Sequence, residues 1–265
     1  MYSSLKLARK YLYYYLTASN GKGHGIHSPF VFDFIINVLN DKRNFYAYSQ
    51  IENLRQELLN DNEIINIEDF GAGSTISKTN QRKICDITKH AAKNKKLAQL
   101  LFRIANYYQP KNIIELGTSL GISSAYLASA NVNSQLITIE GSRQIATIAQ
   151  KNMQYLGLNN IQSITGNFDD KLPDVLKNIS SVDLVFVDGN HQKEPTLKYF
   201  DQLLEHASDQ SIFIFDDIHW SQEMEEAWEH IKQSSQVTLT IDLFFIGLVF
   251  FRKNFKAKQD FILRF

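Results

Sequence analysis

At 265 residues, with 44% hydrophobic residues and 28 basic against 28 acidic side chains, the chain can bury one sizeable core and carries no global charge field that would favour nucleic acid. Its one cysteine, Cys85, excludes an internal disulfide and fits a reducing compartment. The longest apolar run, residues 243–251, is too short to cross a bilayer as a helix, and the tyrosine-rich start makes a poor signal sequence, so a cytoplasmic chain without an integral membrane segment is expected.

Residues 1–20 read as an aromatic, basic helix stopped at Asn20-Gly21; Lys6, Arg9, Lys10 and Lys22 lie in a stretch, residues 1–32, that has no acid. After a glycine-rich turn holding His24, Ser28 and Pro29 open a second helix as N-cap and first residue, with Phe30, Phe34, Ile35 and Val38 on one face. Residues 49–60 suggest a further helix. Residues 64–83 read as a loop, either folding over a bound ligand or merely connecting; within it Asp69-Phe70-Gly71-Ala72-Gly73 is a decoy for a ligand loop, because no strand ending in an acid follows one unit later. We expect residues 1–90 to form an N-terminal helical extension, used as a lid, as a homodimer arm or simply as packing, and residues 91–265 to form the main domain.

From residue 97 the pattern is regular. An amphipathic helix over 97–108 turns Leu97, Leu100, Leu101 and Ile104 inward and ends at Gln109-Pro110. Strands are expected at 113–116, 136–140, 161–165, 182–187 and 211–215, and helices at about 121–130, 142–156, 170–179, 193–206 and 220–234. Two β-rich runs, 237–243 and 246–252, follow with so short a break that they must form an antiparallel hairpin. The expected fold is α/β: a doubly wound, mostly parallel seven-stranded sheet ending in an antiparallel β-hairpin, with the N-terminal helical extension.

The first strand–loop–helix corner reads Glu115-x-Gly117-x3-Gly121, and an acid, Glu140, ends the next strand. Bare backbone beside a helix N-terminus admits a small ligand, and a carboxylate one unit later suits ribose hydroxyls. A dinucleotide loop would carry a middle glycine where this chain has Ser119, so an NAD-dependent oxidoreductase is the weaker alternative. A carboxylate opening the loop favours a ligand with ammonium and sulfonium charge, such as S-adenosylmethionine. After the third strand, Asn167-Phe168-Asp169 can serve adenine by stacking and by accepting its amino group; the competing use is a helix cap by Asp169 or Asp170.

Two further strands end in acid, at Asp188 and at Asp216-Asp217. If they are neighbours, about 4.8 Å apart, the three carboxylates converge and repel unless a cation joins them, which oxygen chemistry makes Mg2+ or Mn2+. The plainer alternative is that Asp216 and Asp217 cap the following helix. His191, in the loop after Asp188, is the first choice of general base and His219 the second; His90, His206 and His230 read as exposed helix positions.

These residues resemble those of class I methyltransferases dependent on S-adenosylmethionine. From about residue 97 to 252 the chain is similar to the cation-dependent O-methyltransferases of the catechol and caffeoyl-CoA type, and closer still to the macrocin and aminocoumarin-sugar type. The resemblance implies that Glu115, Gly117, Thr118, Ser119, Gly121 and Ser123 face the methionine portion. It places Glu140 and Gly141 at the ribose, Asn167, Phe168 and Asp169 at the adenine, and Asp188 beside the cofactor. Asp188, Asp216 and Asp217 match the metal ligands. The sugar enzymes have an aspartate where this chain has Asn190, and the catechol type a lysine at His191. The implied function is O-methylation of a small-molecule hydroxyl, the alternative a non-catalytic protein that binds S-adenosylmethionine. An apolar or anionic acceptor met at a membrane surface, by peripheral contact, would suit the basic, aromatic start.

Overall fold

The computed structural model describes residues 1–67 and 81–265. In chain order the helices are α1 (Ser4–Thr17), α2 (Pro29–Phe34), α3 (Tyr46–Leu59), α4 (Ile84–His90), α5 (Lys95–Tyr108), α6 (Ile122–Ala130), α7 (Arg143–Tyr155), α8 (Phe168–Leu176), α9 (Lys193–Leu204) and α10 (Gln222–Gln233). The strands are β1 (Ile64–Asn66), β2 (Gln81–Lys83), β3 (Asn112–Leu116), β4 (Gln135–Glu140), β5 (Ile161–Thr165), β6 (Val182–Val187), β7 (Ala207–Asp216), β8 (Leu239–Asp242), β9 (Ile246–Phe250) and β10 (Gln259–Ile262). No helix among the described residues is long and apolar enough to cross a membrane.

The chain divides into two compact units, residues 42–177 and residues 1–41 with 178–265. In the continuous unit β3, β4 and β5 lie side by side, all parallel, with Glu115 paired to Thr138 and Glu140 to Thr165. Strand β3 is buried along almost its whole length, as a strand covered on both faces is, while β5 (Ile-Gln-Ser-Ile-Thr) at the edge is only half-buried. Helix α5 buries Leu97, Leu100, Leu101 and Ile104 as its periodicity requires, and Gln109 closes it in a left-handed cap. Strands β1 and β2 make a small antiparallel ribbon at the two ends of residues 68–80; the Asp69–Gly73 decoy and most of the expected loop lie outside the described residues.

The discontinuous unit orders its strands β10-β8-β9-β7-β6. Strands β6 and β7 are parallel, and β9 runs antiparallel to both β7 and β8, which is the expected hairpin. Across the two units this is one strand more than the seven expected, because β10 adds itself in parallel to β8. The fold is mixed α/β, mostly parallel, with antiparallel strands at its end. Ser28 does precede α2 with Pro29 next, but its side chain makes no capping bond, and α2 runs on into a π-helical turn at Ile35–Leu39. Phe34, Ile35 and Val38 are fully buried on the predicted face, Phe34 meeting Phe250 edge-on at 6.3 Å.

Candidate functional site

Parallel strands in register bring their carboxyl ends to one edge, and the predicted residues gather at such edges in each unit. In the continuous unit, β3 runs into Gly117 (φ 105°), Ser119 (φ 48°) and Gly121 (φ 83°), a left-handed corner that opens α6. Its left-handed backbone favours glycine at Gly121, where a Cβ would also press on the Met153 side chain at 3.2 Å. Glu140 crosses to this corner. Its Oε2 accepts from the Ser119 amide at 2.9 Å and its Oε1 from the Ser142 amide at 3.0 Å, which fixes the acid that ends β4 beside the loop that follows β3. Thr118 is buried with its hydroxyl 2.6 Å from that of Thr138.

Glu115 has no exposed surface. One carboxylate oxygen accepts from the hydroxyls of Ser124 and Thr138, the latter at 2.7 Å. The other is buried and makes no hydrogen bond of ordinary geometry. Burial pushes this carboxyl up to about 7; the hydroxyls of Ser123, Ser124 and Thr138 pull it back, and the Glu140 charge adds to the rise. A buried acceptor atom of this kind fits a cationic ligand group.

At the end of β5, Asn167 rather than Asp169 or Asp170 caps α8: its side chain accepts from the Asp169 amide at 3.0 Å. Phe168 is half-buried as the first residue of that helix and Asp169 follows in its first turn. Ser123 is buried in the first turn of α6, and Gly141 follows Glu140 directly.

In the discontinuous unit, Asp188, His191 and Asp216 offer ligand atoms that lie within 4.8 Å of one another. Val187 pairs with Phe215, so the residues just past them, Asp188 and Asp216, are neighbours by register. Asp216 is 2% exposed, an unusual place for a carboxylate outside a paired or metal-binding site. His191 reaches back into the cluster, its Nε2 being 3.7 Å from Asp188 Oδ1, and its ring packs on Trp220 at 5.8 Å. Asp217, expected as a third carboxylate, adopts φ 54°, and its Oδ2 is 4.0 Å from His191 Nε2. It is not one of the three converging donors, though it flanks the same histidine nitrogen. Neither aspartate caps α10, because Ser221 does so by accepting from the Met224 amide. Asn190 (φ 52°) donates to the Tyr199 hydroxyl at 3.1 Å.

His219 sits in a separate network that no local sequence signal reveals. Its Nδ1 is 3.0 Å from Glu225 and its Nε2 2.7 Å from Asp242, with the ring stacked on Phe244. Burial would lower its pKa, yet the two carboxylates hold it above the ordinary histidine value. Glu225 also takes Lys10 at 2.8 Å and the Tyr2 hydroxyl at 2.7 Å, which ties α1 to α10. His24, His27, His90 and His230 are exposed, and His206 is half-buried just past α9.

Residues 114–218 match a family model described as a methyltransferase domain. Over 126 residues, 46% of the chain, the sequence is 34% identical to a protein called catechol O-methyltransferase from Niastella koreensis; the chain spans 55% of that relative's length. Among solved structures, a SAH-bound methyltransferase from Podospora anserina superposes with a TM-score of 0.58 at 13% identity, covering 96% of this chain and 98% of that one. The O-methyltransferase TomG of Streptomyces achromogenes, in complex with SAM, does so with a TM-score of 0.54 at 20% identity, covering 83% and 95%. At these identities the structures establish the fold.

Proposed function

We propose that this chain, which carries a class I methyltransferase domain at its centre, is an S-adenosylmethionine-dependent O-methyltransferase for a small-molecule hydroxyl, assisted by a divalent cation. The observation that carries the reading is the convergence of Asp188, His191 and Asp216 at the ends of β6 and β7. In this reading residues 91–265 carry the reaction and residues 1–90 help to select the acceptor.

In-line transfer forms an oxygen–methyl bond as the sulfonium–methyl bond breaks, its electron pair passing to sulfur and the hydroxyl proton to a base. The chain's part is to hold both partners in line, which can supply several kcal/mol of the barrier. Glu115 would meet the donor's ammonium, the backbone of Gly117 to Gly121 would lie against its methionine portion, Glu140 would take the ribose hydroxyls, and Phe168 would stack on the adenine. Asp188 and Asp216 would hold a cation, with His191 or Asp217 as a further ligand; an imidazole in the set moves the preference from Mg2+ toward Mn2+. Such a cation supplies Lewis acidity to the acceptor oxygen. If Asp217 rather than His191 completes the set, His191 is placed to accept the proton, with the Asp188 and Asp217 carboxylates beside the charge it gains.

The relative's name makes a catechol the first acceptor to try. Asp216→Asn should lower turnover by about a hundredfold or more while S-adenosylmethionine binding, read by calorimetry, stays within about twofold; full activity in that variant would remove the cation from the mechanism. Glu140→Ala should weaken S-adenosylmethionine binding by about tenfold, the worth of a charge-assisted hydrogen bond, and unchanged affinity would mean that the donor lies elsewhere. Binding of NAD+ in its place would overturn the class.

A further inference from the structure

A groove of about 770 Å³ runs along α1 within the discontinuous unit, of a size that suits a small molecule. Ser3 and Thr17 both line it, so at about 1.5 Å per helical residue it is roughly 20 Å long. Tyr13, Tyr14, Phe244 and Ile262 give it an aromatic and aliphatic wall, and Lys6, Arg9 and Lys10 a basic one.

The charges in the groove are not balanced alike. Glu225 is spent on Lys10, Tyr2 and His219, and Asp242 on His219 and the Phe244 amide. Lys6 rests over the Tyr2 ring at 3.8 Å, and among the described residues neither it nor Arg9 meets an acid. Two cations therefore face a largely apolar trough with no counter-charge.

The groove opens beside the proposed reaction centre. Strand β8 ends at Asp242, which lines the groove, and β7 ends at Asp216; both run antiparallel to β9 between them. Their carboxyl ends share an edge, two strand spacings or roughly 10 Å apart. The start of α1 is fixed to the same place: the Tyr2 amide donates to the Trp220 carbonyl at 2.9 Å, and the Trp220 ring packs on His191.

We propose that this groove binds an elongated anionic amphiphile as the acceptor, its apolar body against Tyr13, Phe244 and Ile262 and its anionic group at Lys6 and Arg9. The assignment as acceptor rests on the O-methyltransferase reading; the binding site itself does not.

The test is calorimetry on the full chain with dodecyl phosphate below its micelle concentration, against dodecyl maltoside and inorganic phosphate. Dodecyl phosphate should bind, the neutral amphiphile and the bare anion at least tenfold more weakly, and the K6A/R9A double variant should lose at least tenfold for dodecyl phosphate. Both substituted residues are exposed, so folding is retained. Equal binding of the neutral amphiphile, undiminished binding by the double variant, or no binding at all would each overturn the site. S-adenosylmethionine titrated in parallel separates the two readings. If it binds and dodecyl phosphate does not, the groove proposal falls alone; if dodecyl phosphate binds and S-adenosylmethionine does not, the acceptor role falls with the methyltransferase reading. Co-sedimentation with phosphatidylglycerol vesicles but not phosphatidylcholine vesicles, lost in K6A/R9A, would identify a lipid as the source of the anionic group; no sedimentation alongside dodecyl phosphate binding would identify a dissolved molecule.

Discussion

Glu115 spends its burial in a way that pH can read. Its carboxyl is raised from 4.5 to about 7, so between those values the folded chain holds a proton that the unfolded chain has lost. Its contribution to stability is therefore fully present below about pH 4.5 and is lost as pH rises through about 7. Glu115→Gln keeps an acceptor for Ser124 and Thr138 and removes the titration. The fall in urea midpoint from pH 5 to 8 should be smaller in the variant; an identical fall would place the proton elsewhere. At this scale the sequence was legible where acids end strands. Asp188 and Asp216 stand out as such, and His191 is near enough in sequence to join them. Asp217 takes a positive φ, which aspartate tolerates but does not announce. Asn167, Asp169 and Asp170 are all fair caps, so only the folded backbone could rank them. The partners of His219, Glu225 in α10 and Asp242 at the end of β8, lie 6 and 23 residues further on and meet it only once those elements pack.

Elements with a strong period were readable to within a few residues. Strands β5 and β6 match their expected bounds, and the hairpin of β8 and β9 followed from the shortness of its break. What escaped was short or polar. Strand β10 alternates between half-buried and exposed residues and becomes a strand by pairing with β8, while β2, Gln-Arg-Lys, has no strand character of its own. Helix α4 is too brief for its period to show. One element contact makes a sharp prediction. Gly247 in β9 has no room for a side chain, since a Cβ there would lie 2.6 to 2.9 Å from ring atoms of Trp228, which is 1% exposed on α10. Its backbone is ordinary, so the cost of Gly247→Ala is purely one of overpacking, about 1–3 kcal/mol. Urea unfolding should show it, and a neutral result would mean that α10 can lift freely from β9.

At the scale of the whole molecule, a ligand that binds only the folded chain must stabilise it. Mn2+ or Mg2+ at about a hundred times its dissociation constant should add about 2.7 kcal/mol. Thermal unfolding should move up on adding the metal and stay fixed in Asp216→Asn; equal shifts in both proteins would place the cation away from β7. The way the ends of the discontinuous unit meet has a different consequence. Ser19 donates its amide to the Ile262 carbonyl and accepts from the Arg264 amide, while the Tyr14 hydroxyl donates to the Leu263 carbonyl and accepts from the Phe265 amide. Helix α1 therefore leaves the ribosome well before these partners are made. Residues 42–177 contain the pairing of β3, β4 and β5 within one continuous stretch and can collapse during translation. Throughout that interval α1 is a nascent helix without a seat for Tyr14, and residues 262–265, translated long after it, are the ones that retrieve it.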